Sequence, residues 1–283
     1  MKPYIVHIPT RGKDRRDVLV ACIQAFSFQT HPPKEIIIID NNDERGTLDD
    51  FEDHFTGVVP CEFPVPGIIH GDQTGLNWVN KFGYEIAARW DDDLIPAPDC
   101  MEKLVRLHDN PGVVCSGGMY PATNNEHPIF GNNLFSRRLC NGTVRSGHEN
   151  NKHVQFFPWW GRYEIIRRHF LYSSFVYNVK AANDIGGFCT DYSQHSYRAD
   201  TDFTMRMGVV GELMLDTSAI AEHRLQGGGT RDIVGDEKQR MQWADVQLFQ
   251  RRMRERGMDP DYGTQGIIDV RESFLSNNQN EKV

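Results

Sequence analysis

The hydrophobic positions change period along the chain. Tyr4-Ile5-Val6 through Ile8 is a short apolar run that predicts a strand. Val18, Leu19, Cys22, Ile23 and Phe26 follow at helical spacing. Ile36-Ile37-Ile38-Ile39, between Glu35 and Asp40, is a continuous β-branched run and predicts a central parallel strand buried on both faces. Leu76, Val79, Phe82 and Ile86 predict a second helix, and Met101, Leu104 and Val105 a third, with Pro98 near its start. Val113-Val114-Cys115 reads as another strand. This alternation predicts an α/β fold with a mostly parallel sheet and helices on both faces. From residue 117 to 178 the periodicity weakens, and Asn, Gly, His and aromatics are frequent. Beyond it, Val179, Ala182 and Ile185 predict a short helix ending at Gly186-Gly187. Phe203 and Met207 mark another, around Asp200 to Gly208. Met241, Val246, Leu248, Phe249 and Met253 predict C-terminal helices before a polar tail from Ser276.

In a parallel sheet of this kind, ligands bind beyond the carboxyl ends of the strands. Pro9-Thr10-Arg11, Asp40 and the run Asp91-Asp92-Asp93 each follow a candidate strand, so they converge on one crevice. Three adjacent carboxylates repel one another. A divalent cation removes that problem, and Mg²⁺ or Mn²⁺ is usually shared between one or two carboxylates and substrate phosphates. The plain alternative is a solvated acidic turn. The convergence raises the run above it.

Bulk properties narrow the field. A chain of 283 residues with 39% hydrophobic and 25% charged residues suits one large globular domain or two small ones. The net charge of -8 argues against broad adhesion to nucleic acid or anionic membrane. Arg137, Arg138 and Arg145, or Arg162 to Arg168, could still form a local basic groove. The 6 cysteines include no CxxC pair. That predicts neither a zinc site nor a disulfide framework, and a reduced, cytoplasmic setting. No run reaches the length of a membrane span, and no secretory leader is evident.

Taken in order, several pieces resemble the family 2 glycosyltransferases. The first is Ile8-Pro9-Thr10-Arg11, then Phe28-Gln29-Thr30 and the strand ending in Asp40 with Asn41-Asn42-Asp43. The second is Asn80-Lys81-Phe82-Gly83, leading to Asp91-Asp92-Asp93. The third is Gly186-Gly187-Phe188, then Asp200-Thr201-Asp202-Phe203 with Arg206, and finally Ile220-Ala221-Glu222-His223. The resemblance runs from about residue 4 to 225.

It implies the GT-A (Rossmann-like) fold and transfer of a sugar from a nucleoside diphosphate sugar to an acceptor hydroxyl. It divides the chain into a nucleotide-sugar half (1–116), an acceptor and catalytic half (117–232) and a C-terminal helical extension (233–283). By resemblance, Asp91, Asp93 and His223 hold Mn²⁺ or Mg²⁺. Pro9, Thr10, Arg11, Asp40, Asn42, Asn80, Asp91, Asp92 and Arg231 bind the nucleotide sugar. An acid in the place of Asp40 can accept from the imide N–H of uracil, which points to a UDP-sugar. The family's base is matched by Asp200, implying single displacement with inversion. The family usually has Glu before that acid where this chain has Ala199, so Asp202 is an alternative base.

Other features stay open. Trp159 and Trp160 are core aromatics or a stacking wall for an acceptor. Gly227-Gly228-Gly229-Thr230-Arg231 is a linker, or a lid that brings Arg231 to the diphosphate. The acceptor could be a saccharide, a small molecule, a protein side chain or a hydroxylated base in DNA. Two rivals remain: a sugar-nucleotide nucleotidyltransferase, and a nucleotide- or sugar-binding module without catalysis.

Overall fold

The computed structural model describes residues 1–11, 15–41, 57–60, 68–120, 122–123, 165–168, 170–171, 174–224 and 233–258. The elements in chain order are β1 (Tyr4–Thr10), α1 (Arg16–Ser27), β2 (Glu35–Asp40), β3 (Val58–Pro60), α2 (Ile68–Phe82), β4 (Ile86–Arg89), β5 (Leu94–Pro96) and α3 (Cys100–Leu107). Then come β6 (Val113–Met119), β7 (Ala122–Thr123), β8 (Ile165–Arg168), β9 (Phe175–Asn178), α4 (Val179–Asp184), α5 (Ala199–Val210), β10 (Glu212–Arg224) and α6 (Gly235–Glu255).

One 10-stranded sheet organises them, in the order β3-β2-β1-β4-β9-β6-β10-β5, with β7 and β8 also paired to β10. The β3-β2-β1-β4 half is parallel. β9 then runs antiparallel between β4 and β6. Strands from either side of residue 116 therefore lie in one sheet.

The Ile36–Ile39 run has the two-faced burial its composition demands. Ile36 and Ile38 pack with Tyr4, Val6, Ile8 and the apolar stripes of α1 and α3. Ile37 and Ile39 pack on the other face with Ile5, Leu76 and Val79. The α1 stripe is the expected one: Val18, Leu19, Cys22, Ile23 and Phe26 are all buried. Successive side chains of a strand point to opposite faces, so an apolar layer on each side needs an unbroken apolar run.

Helix α2 sits unusually close to β1. A Cβ on Gly75 would stand 2.1 Å from His7 Nδ1, and one on Gly71 would stand 2.9 Å from Pro9 Cβ. Both distances are shorter than real Cβ contacts, so only glycine permits this approach. It places the α2 residue Asp72 beside the strand ends.

Two expectations need correction. Ile86 opens β4 instead of ending the second helix, because α2 stops at Phe82 and Gly83 takes a left-handed φ of 72°. His223 lies within the 13-residue β10 and does not follow a strand. The sheet itself is mostly parallel, as expected, with β9 an antiparallel strand from the segment of weak periodicity. Among the described residues no helix is long and apolar enough to cross a membrane.

Candidate active site

The parallel strands β1, β2 and β4 end at one edge, with Thr10 opposite Asp40 in register. Asp91-Asp92-Asp93 follow β4 there. The chain offsets their mutual repulsion with two guanidinia, Arg89 for Asp91 and Arg15 shared by Asp92 and Asp93. Asp91 is taken by the Arg89 guanidinium. Asp92 accepts from Thr10 Oγ1 at 2.6 Å and from Arg15 Nε at 2.7 Å. Asp93 lies 3.0 Å from Arg15 Nη2 on one oxygen and 3.3 Å from His223 Nε2 on the other. The peptide is pinned as well: the Asp91 amide donates to Ser174 Oγ at 2.8 Å, and the Arg224 amide donates to the Asp93 carbonyl at 2.8 Å.

Burial makes these charges costly unless paired. Asp92 and Asp93 are 4% and 1% exposed. Burial pushes the Asp92 carboxyl above its usual range, and Arg15 and Thr10 oppose the rise. Burial alone would depress the Arg15 guanidinium, but Asp92 and Asp93 more than reverse that, so it stays charged.

Arg89 is the second pivot. It donates to Asp72 Oδ1 at 2.8 Å as well as to Asp91. Burial raises the Asp72 carboxyl to about 6, against the pull of Arg89, and the charges of Asp91 and Asp200 add to the rise. The field of Asp200 also reaches Arg89. Asp200 is therefore electrostatically part of the cluster. It sits in the first turn of α5, half-buried, with Oδ1 accepting from the Thr201 amide at 2.7 Å.

The expected residues divide clearly. Pro9, Thr10 and Asp40 are buried at the strand edge, and Arg11 follows them half-buried. Asp91, Asp92, Asp93 and His223 gather beside them. Asn42, Arg231, Trp159 and Trp160 lie outside the described residues, as do Arg137, Arg138, Arg145 and Arg162. Asn80 does not belong to the crevice. It lies at the end of α2 that leads into the opposite edge of β4, where it exchanges amide hydrogen bonds of 3.1 and 2.8 Å with Asn183 of α4. Asp202 is fully buried, with Arg206 Nε at 2.9 Å on one oxygen and Arg252 Nε at 3.0 Å on the other. Four contributors were missed from the sequence: Arg15, Asp72, Arg89 and Ser174. Arg15 stands in a visible basic stretch before α1. Arg89 stands two residues before Asp91, so its proximity was visible in the sequence. Asp72 and Ser174 carry no local signal, because only the tertiary fold brings them to the acidic run.

The expected trio of Asp91, Asp93 and His223 is not gathered as one ligand set. Among the described residues no group of three or more His, Cys, Asp or Glu gathers to hold an ion. Asp91 is turned to Arg89, which removes it from the expected trio. Asp93 and His223 fit an ion better. Ligands of a small divalent cation lie about 2.0–2.2 Å from it, so adjacent ligands are about 3 Å apart. The Asp93–His223 separation of 3.3 Å is close to that. Two protein donors suit an ion that takes its remaining ligands from phosphate and water.

With this geometry in view, the comparisons are informative. Residues 5–170 match the family described as Glycosyl transferase family 2. That is more than half the chain, so this protein belongs to that family. The match stops before Gly186, Asp200 and His223.

Solved structures place the fold as GT-A. GalNAc-T7 with UDP, GalNAc and Mn²⁺ superposes with a TM-score of 0.59 at 12% identity, covering 90% of this chain and 50% of its own. The mannosyltransferase PcManGT from Pyrobaculum calidifontis, in complex with GDP-Man and Mn²⁺, gives 0.57 at 16% identity, covering 89% and 64%. S. aureus TarS 1-349 in complex with UDP-GlcNAc gives 0.57 at 11%, covering 88% and 66%. The chain thus spans between half and two thirds of the length of these proteins. No curated protein matches the sequence. Family membership favours the glycosyltransferase expectation over the nucleotidyltransferase rival.

Proposed function

We propose that this protein is a metal-dependent glycosyltransferase that moves a sugar from a nucleoside diphosphate sugar, UDP-linked, to an acceptor hydroxyl. The meeting of Asp93 and His223 at 3.3 Å, beside the ends of β1 and β2, carries this reading. Asp93 and His223 are the residues that would hold Mn²⁺ or Mg²⁺, and that ion would neutralise charge developing on the diphosphate leaving group. Thr10, Arg11 and Asp40 line the nucleoside side. Thr10 also orients Asp92, and Arg15 bridges Asp92 and Asp93. Donors with UDP, and one with GDP, occur among the fold's relatives, so the base preference rests on Asp40.

We assign Asp200 as the acid that takes the acceptor proton, and inversion follows if it does. The two guanidinia on Asp202 argue for a structural role there. In this reading residues 1–116 bind the donor and 117–232 supply the base and the acceptor surface. The acceptor class is left to experiment, with saccharide, small-molecule, protein and hydroxylated-DNA acceptors in the screen. The cysteines Cys22, Cys100, Cys115 and Cys189 are free and buried, which suits a reducing cytoplasm.

The test is thermal unfolding with UDP, GDP, CDP or TDP, each with and without Mn²⁺. At a hundredfold excess over its dissociation constant, a ligand of the native state adds about 2.7 kcal/mol. The expected result is a UDP shift that requires Mn²⁺ and disappears in Asp93→Ala. No response to any nucleoside diphosphate sinks the proposal. Asp200→Asn should keep the shift and lose turnover.

A further inference from the structure

Helix α6 carries an acid on its apolar stripe. Asp245, Phe249 and Met253 recur at four-residue spacing and are the buried residues of this helix. Phe249 and Met253 join the cluster that holds Phe203 and Met207 of α5. Asp245 is 1% exposed. A carboxylate in that position is unfavourable unless hydrogen bonds satisfy it. It accepts from the Ser193 amide at 2.7 Å, from Ser193 Oγ at 2.7 Å and from the Tyr197 amide at 2.8 Å. These donors belong to the turn that delivers the chain to Asp200.

That turn is held in a conformation it would not adopt alone. Ser196 and Arg198 have φ of 53° and 73°, both left-handed and neither glycine. Such residues persist where the surroundings over-determine them, often beside functional sites. Arg198 is also the residue from which α5 starts. A second tie comes from the same helix: Arg252 Nε donates to Asp202 Oδ1 at 3.0 Å. Helix α6 therefore grips the turn before Asp200 and the residue two positions after it.

We propose that Asp245 is a positioning residue for the acid Asp200, and that α6, which lies outside the family-matched residues, is part of the catalytic scaffold. This rests on the function proposed above. If α6 only added stability, its loosening would lower the amount of folded protein and leave each folded molecule as active as before. If it positions Asp200, folded molecules keep their nucleotide and lose turnover.

The experiment compares the full-length wild-type protein with Asp245→Asn, counting turnover per UDP–Mn²⁺ binding site. Asparagine keeps the shape but turns an N–H₂ group toward one of the donors. Whichever backbone donor faces that group, the Ser193 or the Tyr197 amide, should then exchange its hydrogen about tenfold to a hundredfold faster, as for a lost buried hydrogen bond. Turnover per site should fall about tenfold to a hundredfold, the scale of a small misplacement of a reacting group, with donor KM and UDP affinity unchanged. Arg252→Gln loosens only the second tie and should lower turnover per site by less. It decides the matter if Asp245→Asn does not fold. Unchanged turnover per site in the folded variant overturns the proposal, as does a loss shared equally by UDP binding. A wild-type protein that binds no nucleoside diphosphate fails in a different place: it sinks the functional reading, and the positioning role goes with it.

Discussion

Arg15 is the residue whose removal tests the electrostatics of the site most directly. The residue is 8% exposed, and its guanidinium bonds both Asp92 and Asp93, themselves almost fully buried. Replacing it with methionine keeps much of the stem volume and leaves two adjacent carboxylates without that cation. Breaking a buried pair by removing one partner costs about 3–5 kcal/mol. Whole-domain stability is about 5–15 kcal/mol, so the loss is a large share of it. Urea unfolding of Arg15→Met at pH 8 in chelator should show this. Two recoveries should follow. Mn²⁺ finds the Asp93 oxygen released from Arg15, so the variant should bind Mn²⁺ more tightly than the wild type and regain more stability from it. Lowering the pH should also help. Burial raises the Asp92 carboxyl even beside Arg15, and without the cation it rises further. The native state then holds a proton that the unfolded chain releases, so the deficit shrinks as pH falls. Wild-type stability of Arg15→Met in chelator would refute this account of the acidic run. A deficit that neither Mn²⁺ nor acid reduces would place the fault in packing instead.

Two further predictions follow from the same geometry. The Asp72 carboxyl stands at about 6 in the native state, against an ordinary value of 3.8. An acid raised in this way costs stability when ionised, above about pH 6, and that cost disappears as pH falls toward its unfolded value. In urea titrations the wild type should therefore gain stability relative to Asp72→Asn between pH 7 and pH 4.5, and a constant difference would contradict the assignment. Gly75→Ala puts a methyl carbon 2.1 Å from His7 Nδ1 on a fully buried ring, so α2 or the ring must move. The expected destabilisation is about 1–3 kcal/mol or more, read from the urea midpoint, with weaker UDP–Mn²⁺ binding because Asp72 rides on the same helix.

What could be read from the sequence followed from periods that a single segment can display. The Ile36–Ile39 run announced a strand covered on both faces, and the α1 stripe announced its helix, because burial alone decides those positions. Strand β9 was not legible. Its four residues are too few to show a period, and its place between β4 and β6 depends on partners far away in the chain. Ile86 was assigned to a helix because its spacing from Phe82 and Val79 suits one. The left-handed Gly83 breaks that register, and nothing in the apolar pattern marks the break.

The site was legible where chemistry is repeated in one stretch, and illegible where it is assembled. Asp91-Asp92-Asp93 stands out because no fold keeps three adjacent carboxylates near its core without compensation. The run could not reveal how the compensation is shared. One acid goes to Arg89, one to Arg15 and Thr10, and one to Arg15 and His223. Arg89 stands just before the run, Thr10, Arg15 and His223 come from far along the chain, and only Thr10 and His223 were anticipated. Asp245 makes the same point on a helix. Its spacing from Phe249 and Met253 places it on the buried stripe, and a buried acid implies a set of donors nearby. The sequence thus locates the demand for partners more readily than the partners themselves. Buried charge on a predicted apolar face is accordingly the signal to follow first, because physical chemistry requires that something answer it.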